Sequence, residues 1–424
     1  MHRQTIIALD ANIWPKVYTP NLVHLDRIEN LQSDGDDKTL KVLFLAQTPP
    51  PIHGVTRVSK QIYDIMNAMA NVSVKQMWAG SAVSLDDIGH RSIRKYLAFA
   101  IFLMSLGWRV LTTKRDDIVY TTIAPHGEAL FRDALVIAVG RLLGHRVLIH
   151  MHTRGIGEVI SGTTLSQRFT AWALKSTELI SQSSDVINEV SKFGLFSRIH
   201  HLPNYVADPG TPESTGRETL NLGFFGSFDQ RKGVLRFVDV VAALKNDGLE
   251  VRGYIAGRST QDMTPEVIAN YATKHGVCEQ LAIPGFLLDD QAIKCFLRQL
   301  DLFIYPTDHD LAPLVLLEAM ANGVVPLAFD TGAIREMLSP EFTDHVIANS
   351  LDPETYTSQY LAHIKRYNDD RKLLNDDKKK ARDTFLARHS LENFERTFRN
   401  IIANPIFNNP KDPAARSEFA KFYS

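Results

Sequence analysis

Apolar residues along this chain gather in short runs of strand length. Each run closes in a polar or Gly/Pro loop and is followed by apolar positions at helical spacing. The first strong run, Leu40–Ala46 (LKVLFLA), ends in Gln47-Thr48-Pro49-Pro50-Pro51, which neither a helix interior nor a central strand accommodates. After Ile52-His53-Gly54-Val55, the residues Val58, Ile62, Ile65 and Met66 fall on one helical face. A strand, a Pro/Gly loop and an amphipathic helix form the opening of a βαβ unit. Asp117–Thr121 and Val147–His150 read as further buried strands, with helical Leu130–Leu143 between them. Strands separated by helices predict a parallel sheet covered on both faces.

The pattern breaks once. Between about 203 and 218, Pro203, Pro209, Gly210, Pro212 and Gly216 are interleaved with Ser, Thr and Glu, the composition of a linker. A second series then begins with Leu220–Gly226 and continues through Leu249–Ala256, Leu281–Ile283, Leu302–Tyr305 and Val324–Ala328. Helical stretches Leu235–Leu244, Ile293–Leu300 and Leu314–Ala321 lie between these runs. The expected architecture is α/β, with two doubly wound halves: 40–205 and 218–389, preceded by an extension over 1–39. A final helix at about 390–404 is expected to pack back on the first half. The cleft between the halves is the expected site, because such sheets bind ligands at the carboxyl ends of their strands.

Composition narrows the function. The chain has 424 residues, 44% of them hydrophobic and 22% charged, which is ordinary globular usage. Lys+Arg is 47 against Asp+Glu 48, a balance that gives no support for a nucleic-acid partner. Cys278 and Cys295 are too few for a disulfide framework or a four-ligand zinc site, and read as small buried hydrophobes of a reducing compartment. The N-terminus lacks the pattern of a signal peptide, and no run reaches the roughly 18 apolar residues of a membrane span. The expectation is a cytoplasmic protein, soluble or peripheral.

The densest chemistry runs from Tyr305 to Glu336, YPTDHDLAPLVLLEAMANGVVPLAFDTGAIRE. Pro313 is comfortable in the first turn of a helix. A helix starting there directs the amides of Leu314 and Val315 outward, where they could hold a phosphate. Glu318, a turn further in, would face the same cleft and accept both hydroxyls of a ribose, with Asp310 in the loop before it. The plain alternative is an amphipathic helix carrying two solvated acids.

This segment resembles the nucleotide-sugar signature of glycosyltransferase family 4, retaining enzymes of the GT-B fold with two Rossmann-like domains facing across a cleft. The resemblance assigns the first acid, Asp310, to the donor sugar and Glu318 to the ribose. The family's first acid is usually glutamate, one methylene longer. Phe224-Phe225-Gly226-Ser227-Phe228 followed by Gln230-Arg231-Lys232-Gly233 is similar to the family's diphosphate-binding loop. Lys232 matches the lysine that neutralises the donor diphosphate. Ser227 stands where an arginine is common, and Arg231 is a neighbouring substitute. Taken alone, Lys232 is a solvated lysine in a βα loop.

Weaker matches extend the resemblance over roughly 40–400. The loop Pro49–Gly54 resembles the one whose glycine lets the backbone approach the diphosphate and reacting sugar. Val147–Gly155 (VLIHMHTRG) resembles a strand ending in an active-site histidine, with His152 the matching residue and His150 structural. Pro203-Asn204-Tyr205-Val206 is similar to the interdomain turn, with Tyr205 in place of glycine, so Asn204 is expected to supply the turn geometry. Gly285-Phe286-Leu287 and Pro306-Thr307 match elements lining the base and diphosphate pockets. The resemblance thus implies catalytic His152, Lys232 and Asp310. It implies donor contacts from Gly54, Ser227, Arg231, Lys232, Phe286, Asp310, Leu314, Val315 and Glu318.

The implied reaction moves a sugar from a nucleoside diphosphate sugar to a glycan or lipid-linked acceptor, in surface polysaccharide or glycolipid synthesis. Asp308-His309-Asp310 also has the form of a DxD metal motif. That motif belongs to a single-domain fold, and Lys232 with the helix terminus already meets the diphosphate charge, so neither metal nor cofactor is expected. The rival reading is an inactive GT-B subunit that binds nucleotide or a protein partner. Arg91–Arg115 is apolar in its middle, cationic at its flanks and carries Trp108. It reads either as a buried core helix or as a docking surface on anionic membrane.

Overall fold

The computed structural model describes residues 40–49, 54–77, 104, 106–107, 117–124, 127–212, 217–287 and 289–403. The 1–39 extension, the tail beyond 403 and nearly all of the 91–115 segment lie outside the described residues.

Six parallel strands form the first sheet: β1 (Leu40–Phe44), β2 (Val72–Gln76), β3 (Ile118–Thr122), β4 (Arg146–Met151), β5 (Glu178–Ser181) and β6 (Arg198–His201), in the order β2-β1-β3-β4-β5-β6. Six more form the second: β7 (Leu220–Phe225), β8 (Val251–Ala256), β9 (Leu281–Gly285), β10 (Leu302–Tyr305), β11 (Val325–Phe329) and β12 (Val346–Ile347). Their order is β12-β11-β10-β7-β8-β9, again all parallel. The expected α/β architecture of two doubly wound parallel sheets is what the structure has.

Both sheets are covered by helices, and the inner strands β4, β10 and β11 are accordingly buried on both faces. Helix Gly54–Asn67 buries Val58, Ile62, Ile65 and Met66 on the stripe that the spacing predicts. Helix Leu314–Ala321 is different, buried nearly all round, with Leu314, Leu316, Leu317, Glu318, Ala319, Met320 and Ala321 withdrawn from water. The cysteine expectation is overturned: Cys278 is exposed at the start of a short 3-10 turn and Cys295 is half-buried on helix Asp290–Arg298. That helix presents a narrow buried stripe of Phe296 and Leu297, and Cys295 falls at its margin.

The linker is held more firmly than its composition suggests. Tyr205 is buried against Phe394, ring centroids 4.5 Å apart, and the Asn204 side chain donates to the Ala312 carbonyl at 2.9 Å. Asn204 stays outside the left-handed region, since among the described residues the one non-glycine at positive φ is Ser176. Its side-chain bond supplies the restraint instead. Phe394 belongs to helix Leu391–Ala403, whose last carbonyls return to the first sheet. The buried Arg146 of β4 donates to Ile402 O at 2.8 Å and Ile401 O at 2.6 Å, capping the helix with a cation where its dipole is negative.

Arg146 also forms a two-pronged pair with Glu178 of β5, at 2.7 and 2.9 Å, and His200 of β6 meets the same carboxylate at 2.8 Å. Burial opposes ionisation of Glu178, but His200 and Arg146 outweigh it and pull its pKa down to about 2. Removing the guanidinium leaves this carboxylate buried and half-paired. Arg146→Met is therefore expected to lower unfolding free energy by about 3–5 kcal/mol. Hydrogen exchange in the Leu391–Ala403 helix should rise first, which a chemical-denaturation and exchange series measures.

Candidate active site

In the second sheet β7 and β10 are neighbours although far apart in sequence, and the chain winds away from them in opposite directions. At such a switch point the loops after the two strands part and leave a crevice. The loop after β7 carries Ser227 and Lys232, and the loop after β10 carries Asp308 and Asp310. Gly233 makes their approach possible. It sits at φ 86°, and a Cβ there would lie 2.2 Å from the Pro306 carbonyl. Gly332 does the same on the far side, at φ 62°, where a Cβ would lie 2.5 Å from the carbonyl of Asp310 itself.

Lys232 Nζ consequently reaches Asp310 at 2.8 and 3.2 Å. The same carboxylate accepts from the Tyr305 hydroxyl at 2.7 Å and from Thr307 at 3.1 Å. Burial pushes the Asp310 pKa up, but Lys232 and the two hydroxyls outweigh it, so it stays below the ordinary aspartate value. Tyr305 moves the other way: burial and then the Asp310, Glu318 and Asp229 charges hold its hydroxyl protonated. These are fixed, correctly charged groups, the form that electrostatic preorganisation requires.

Helix Leu314–Ala321 begins immediately beyond Asp310, with Pro313 as its N-cap and no side chain capping it. The amides of Leu314 and Val315 lie in its first turn, an anion-favouring position. Glu318 is one turn further in and 8% exposed, and burial raises its pKa. One of its oxygens is 3.0 Å from Nη1 of Arg57, on the first domain's Gly54–Asn67 helix, and the other is buried without a hydrogen-bond partner. Ser227 is exposed in the loop after β7. Arg231, the expected substitute cation, points to His309 and stands 4.0 Å from Asp308, while Arg236 holds Asp308 at 2.6 Å. Phe286 is half-exposed at the end of β9, with the Arg258 guanidinium 5.1 Å above its ring.

From the first domain, Gly54 opens its helix with nothing within 4 Å of where a Cβ would be; residues 50–53 before it are not described. His150 is fully buried in β4, bonded to the Tyr120 hydroxyl at 2.7 Å and to Gln182 at 3.2 Å. His152 lies past the strand end, partly exposed, with Nδ1 2.5 Å from Gln182. Burial, then His152, pushes the His150 pKa down, keeping it neutral. Gln182 thus orients both rings, and nothing in the sequence pattern had marked it.

The two domains are also joined by Glu336, in the TGAIRE run. Its carboxylate accepts from Ser184 N and Oγ, both at 2.9 Å, and lies 2.7 Å from His201 Nε2. Burial works against this charge, but His201 and Ser184 lower its pKa on balance. Gln182, His201, Asn204, Glu336 and His389 line a small cavity of about 60 Å³ at this junction. Asp344, His345 and His363 are near enough to one another to share a metal ion; Asp308 and Asp310 are not in that group.

Residues 219–365 match the family model of glycosyl transferases group 1. The chain is 27% identical over 250 residues to the lipopolysaccharide core biosynthesis mannosyltransferase LpcC of Rhizobium leguminosarum bv. viciae, covering 54% of this chain and 65% of LpcC. The chain thus spans slightly under two thirds of that relative. Among solved structures it is similar to the lipopolysaccharide outer core galactosyltransferase WaaB, with TM-score 0.64, 15% identity, and 86% of this chain and 99% of WaaB covered. It is equally similar to Anabaena Alr3699/HepE in complex with UDP, with TM-score 0.64, 14% identity and coverage of 86% and 100%. At these identities the structural likenesses carry the fold, which is GT-B.

Asp310 offers a test of the charge arrangement. Its folded pKa is depressed, so its pairing stabilises the protein above the ordinary aspartate value of 3.8 and is lost as pH falls through the lower folded value. Asp310→Asn should cost about 1.5–3 kcal/mol near neutrality, a difference that shrinks below pH 4. Urea melts of both proteins from pH 7 to pH 3 measure it.

Proposed function

We propose that this chain, a glycosyltransferase of the GT-B fold, moves a sugar with retention from a nucleoside diphosphate sugar to a glycan or lipid-linked acceptor in cell-surface glycan synthesis. One observation carries the reading: the Lys232–Asp310 pair, the uncapped Leu314 helix end and Glu318 share one crevice, inside the segment that matches the family model. WaaB and LpcC are named for lipopolysaccharide core synthesis and HepE was solved with UDP, which supports a surface-glycan product and a nucleoside diphosphate donor.

The chemical problem is a diphosphate that gathers negative charge as the glycosidic bond breaks, while the anomeric carbon becomes cationic. Lys232 and the first-turn amides of Leu314 and Val315 stabilise the leaving group. Asp310, kept ionised, receives donor-sugar hydroxyls and lies beside the developing positive charge. Glu318 accepts the ribose hydroxyls, and its unpartnered oxygen supports this. His152, set by Gln182, orients the sugar from the opposite domain. Ser227, Arg231 and Phe286 line the nucleotide end. No side chain is assigned as nucleophile, so rate enhancement comes from positioning and closure.

Metal independence fits the same charges, since Asp308 and Asp310 already hold Arg236 and Lys232. Among the described residues no helix is long and apolar enough to cross a membrane. A cytoplasmic enzyme working at the inner membrane face, on a lipid-linked acceptor, is part of this proposal.

The test is release of nucleoside diphosphate from a panel of nucleotide sugars, with and without added divalent metal. Release with one donor supports transfer chemistry; tight nucleotide binding with no release across the panel favours the inactive-subunit reading. Glu318→Ala should weaken nucleoside diphosphate binding by about 1.5–3 kcal/mol. Lys232→Ala should lower kcat more than it weakens donor binding, because diphosphate charge peaks in the transition state. Equal losses in both would remove Lys232 from that role.

A further inference from the structure

The Arg57–Glu318 contact joins residues 261 positions apart and crosses from one domain to the other. Its chemistry is incomplete on both sides. Glu318 is buried, yet one oxygen is satisfied and the other has no partner. Arg57 spends one of its five N–H donors on Glu318, and its side chain is still 36% exposed. A carboxylate with one open oxygen is a poor final partner for a guanidinium, which prefers two parallel bonds.

The cations nearest Asp308 and Asp310 are already committed. Lys232 is held twice by Asp310. Arg236 is held by Asp308 and the Pro306 carbonyl. Arg231 is turned to His309. Position 227, in the exposed loop after β7, is serine. A diphosphate entering beside the buried Glu318 therefore meets no uncommitted guanidinium from the second domain among these residues.

We propose that Arg57 is a donor-site residue supplied by the first domain, holding Glu318 before the donor binds and gripping the donor's diphosphate afterwards. The inference rests on the donor reading above. Two vicinal hydroxyls satisfy both oxygens of Glu318 and displace the guanidinium. Arg57 then keeps its charge next to a carboxylate bonded by neutral donors, with all five N–H groups available to phosphate oxygens. Because Arg57 rides on the opposite domain, gripping the diphosphate also draws the cleft shut. The donor site is complete only when both domains contribute.

The experiment is calorimetric titration of the full chain with UDP, GDP, ADP and dTDP and the four matching nucleosides, for wild type, Arg57→Ala and Arg57→Lys. For whichever diphosphate the wild type binds, Arg57→Ala should lose about 10–100-fold in affinity. The matching nucleoside should bind as well as to wild type, or better, since Glu318 is no longer occupied. Arg57→Lys should recover part of the diphosphate affinity as a point charge. Equal fold-changes for diphosphate and nucleoside, or no change in either, would overturn the role of Arg57, leaving it a strut between domains. A wild type that binds none of these diphosphates overturns the donor reading itself. Melting curves check that each variant is folded, and Arg57→Gln replaces Arg57→Ala if the alanine variant is not.

Discussion

A carboxylate drawn wholly or partly out of water has to be met by a cation or by several hydrogen-bond donors, and four such carboxylates organise this molecule. Glu178 is met by Arg146 and His200, and through Arg146 the closing helix is fastened to the first sheet. Asp310 is met by Lys232, Tyr305 and Thr307 inside the second domain. Glu318 and Glu336 are met from the other domain, by Arg57 and by Ser184 with His201. The first two make each half rigid. The second two make the halves face one another.

Sheet topology decides where these charges can stand. Because β7 and β10 are adjacent, their loops share one crevice, and residues 78 apart come within hydrogen-bond distance. Gly233 and Gly332 remove the side chains that would hold those loops apart. The Asp310 loop is thus wedged between two backbone approaches and cannot relax to solvate its carboxylate. That rigidity keeps the charge pattern set in advance of any ligand.

Much of the frame was legible in the sequence. Leu314–Ala321 and Leu302–Tyr305 are found where the apolar runs predict them, because a fully buried helix or strand tolerates little but apolar residues. The edge strands β2 and β12 were missed, and so were β5 and β6, which show why. Their sequences ELIS and RIHH are short and carry Glu178, Arg198, His200 and His201, and their polar residues become reasonable only once Arg146 and Glu336 are beside them. Arg57 and Gln182 were missed for the same reason: their partners are distant in sequence, and each alone is an ordinary polar residue on an ordinary element. The cysteines were misread because residue type says where a side chain tends to be, while the position of Cys295 on its helix decides where it is.

The way the chain passes between its domains has a mechanical consequence. It crosses once in the stretch around Pro203–Val206 and again at the step from His389 to Leu391, and His389 Nδ1 lies 3.1 Å from the Asn204 carbonyl. Two crossings fastened together act as one pivot. Swinging about it, the domains trace arcs that lengthen with distance from that pin, as points on a door do. Glu336, which lines the same small cavity as Asn204 and His389, has a short lever arm and travels little. Groups further out travel more for the same angle, so a small rotation at the pin becomes a wide change in the gap at the mouth.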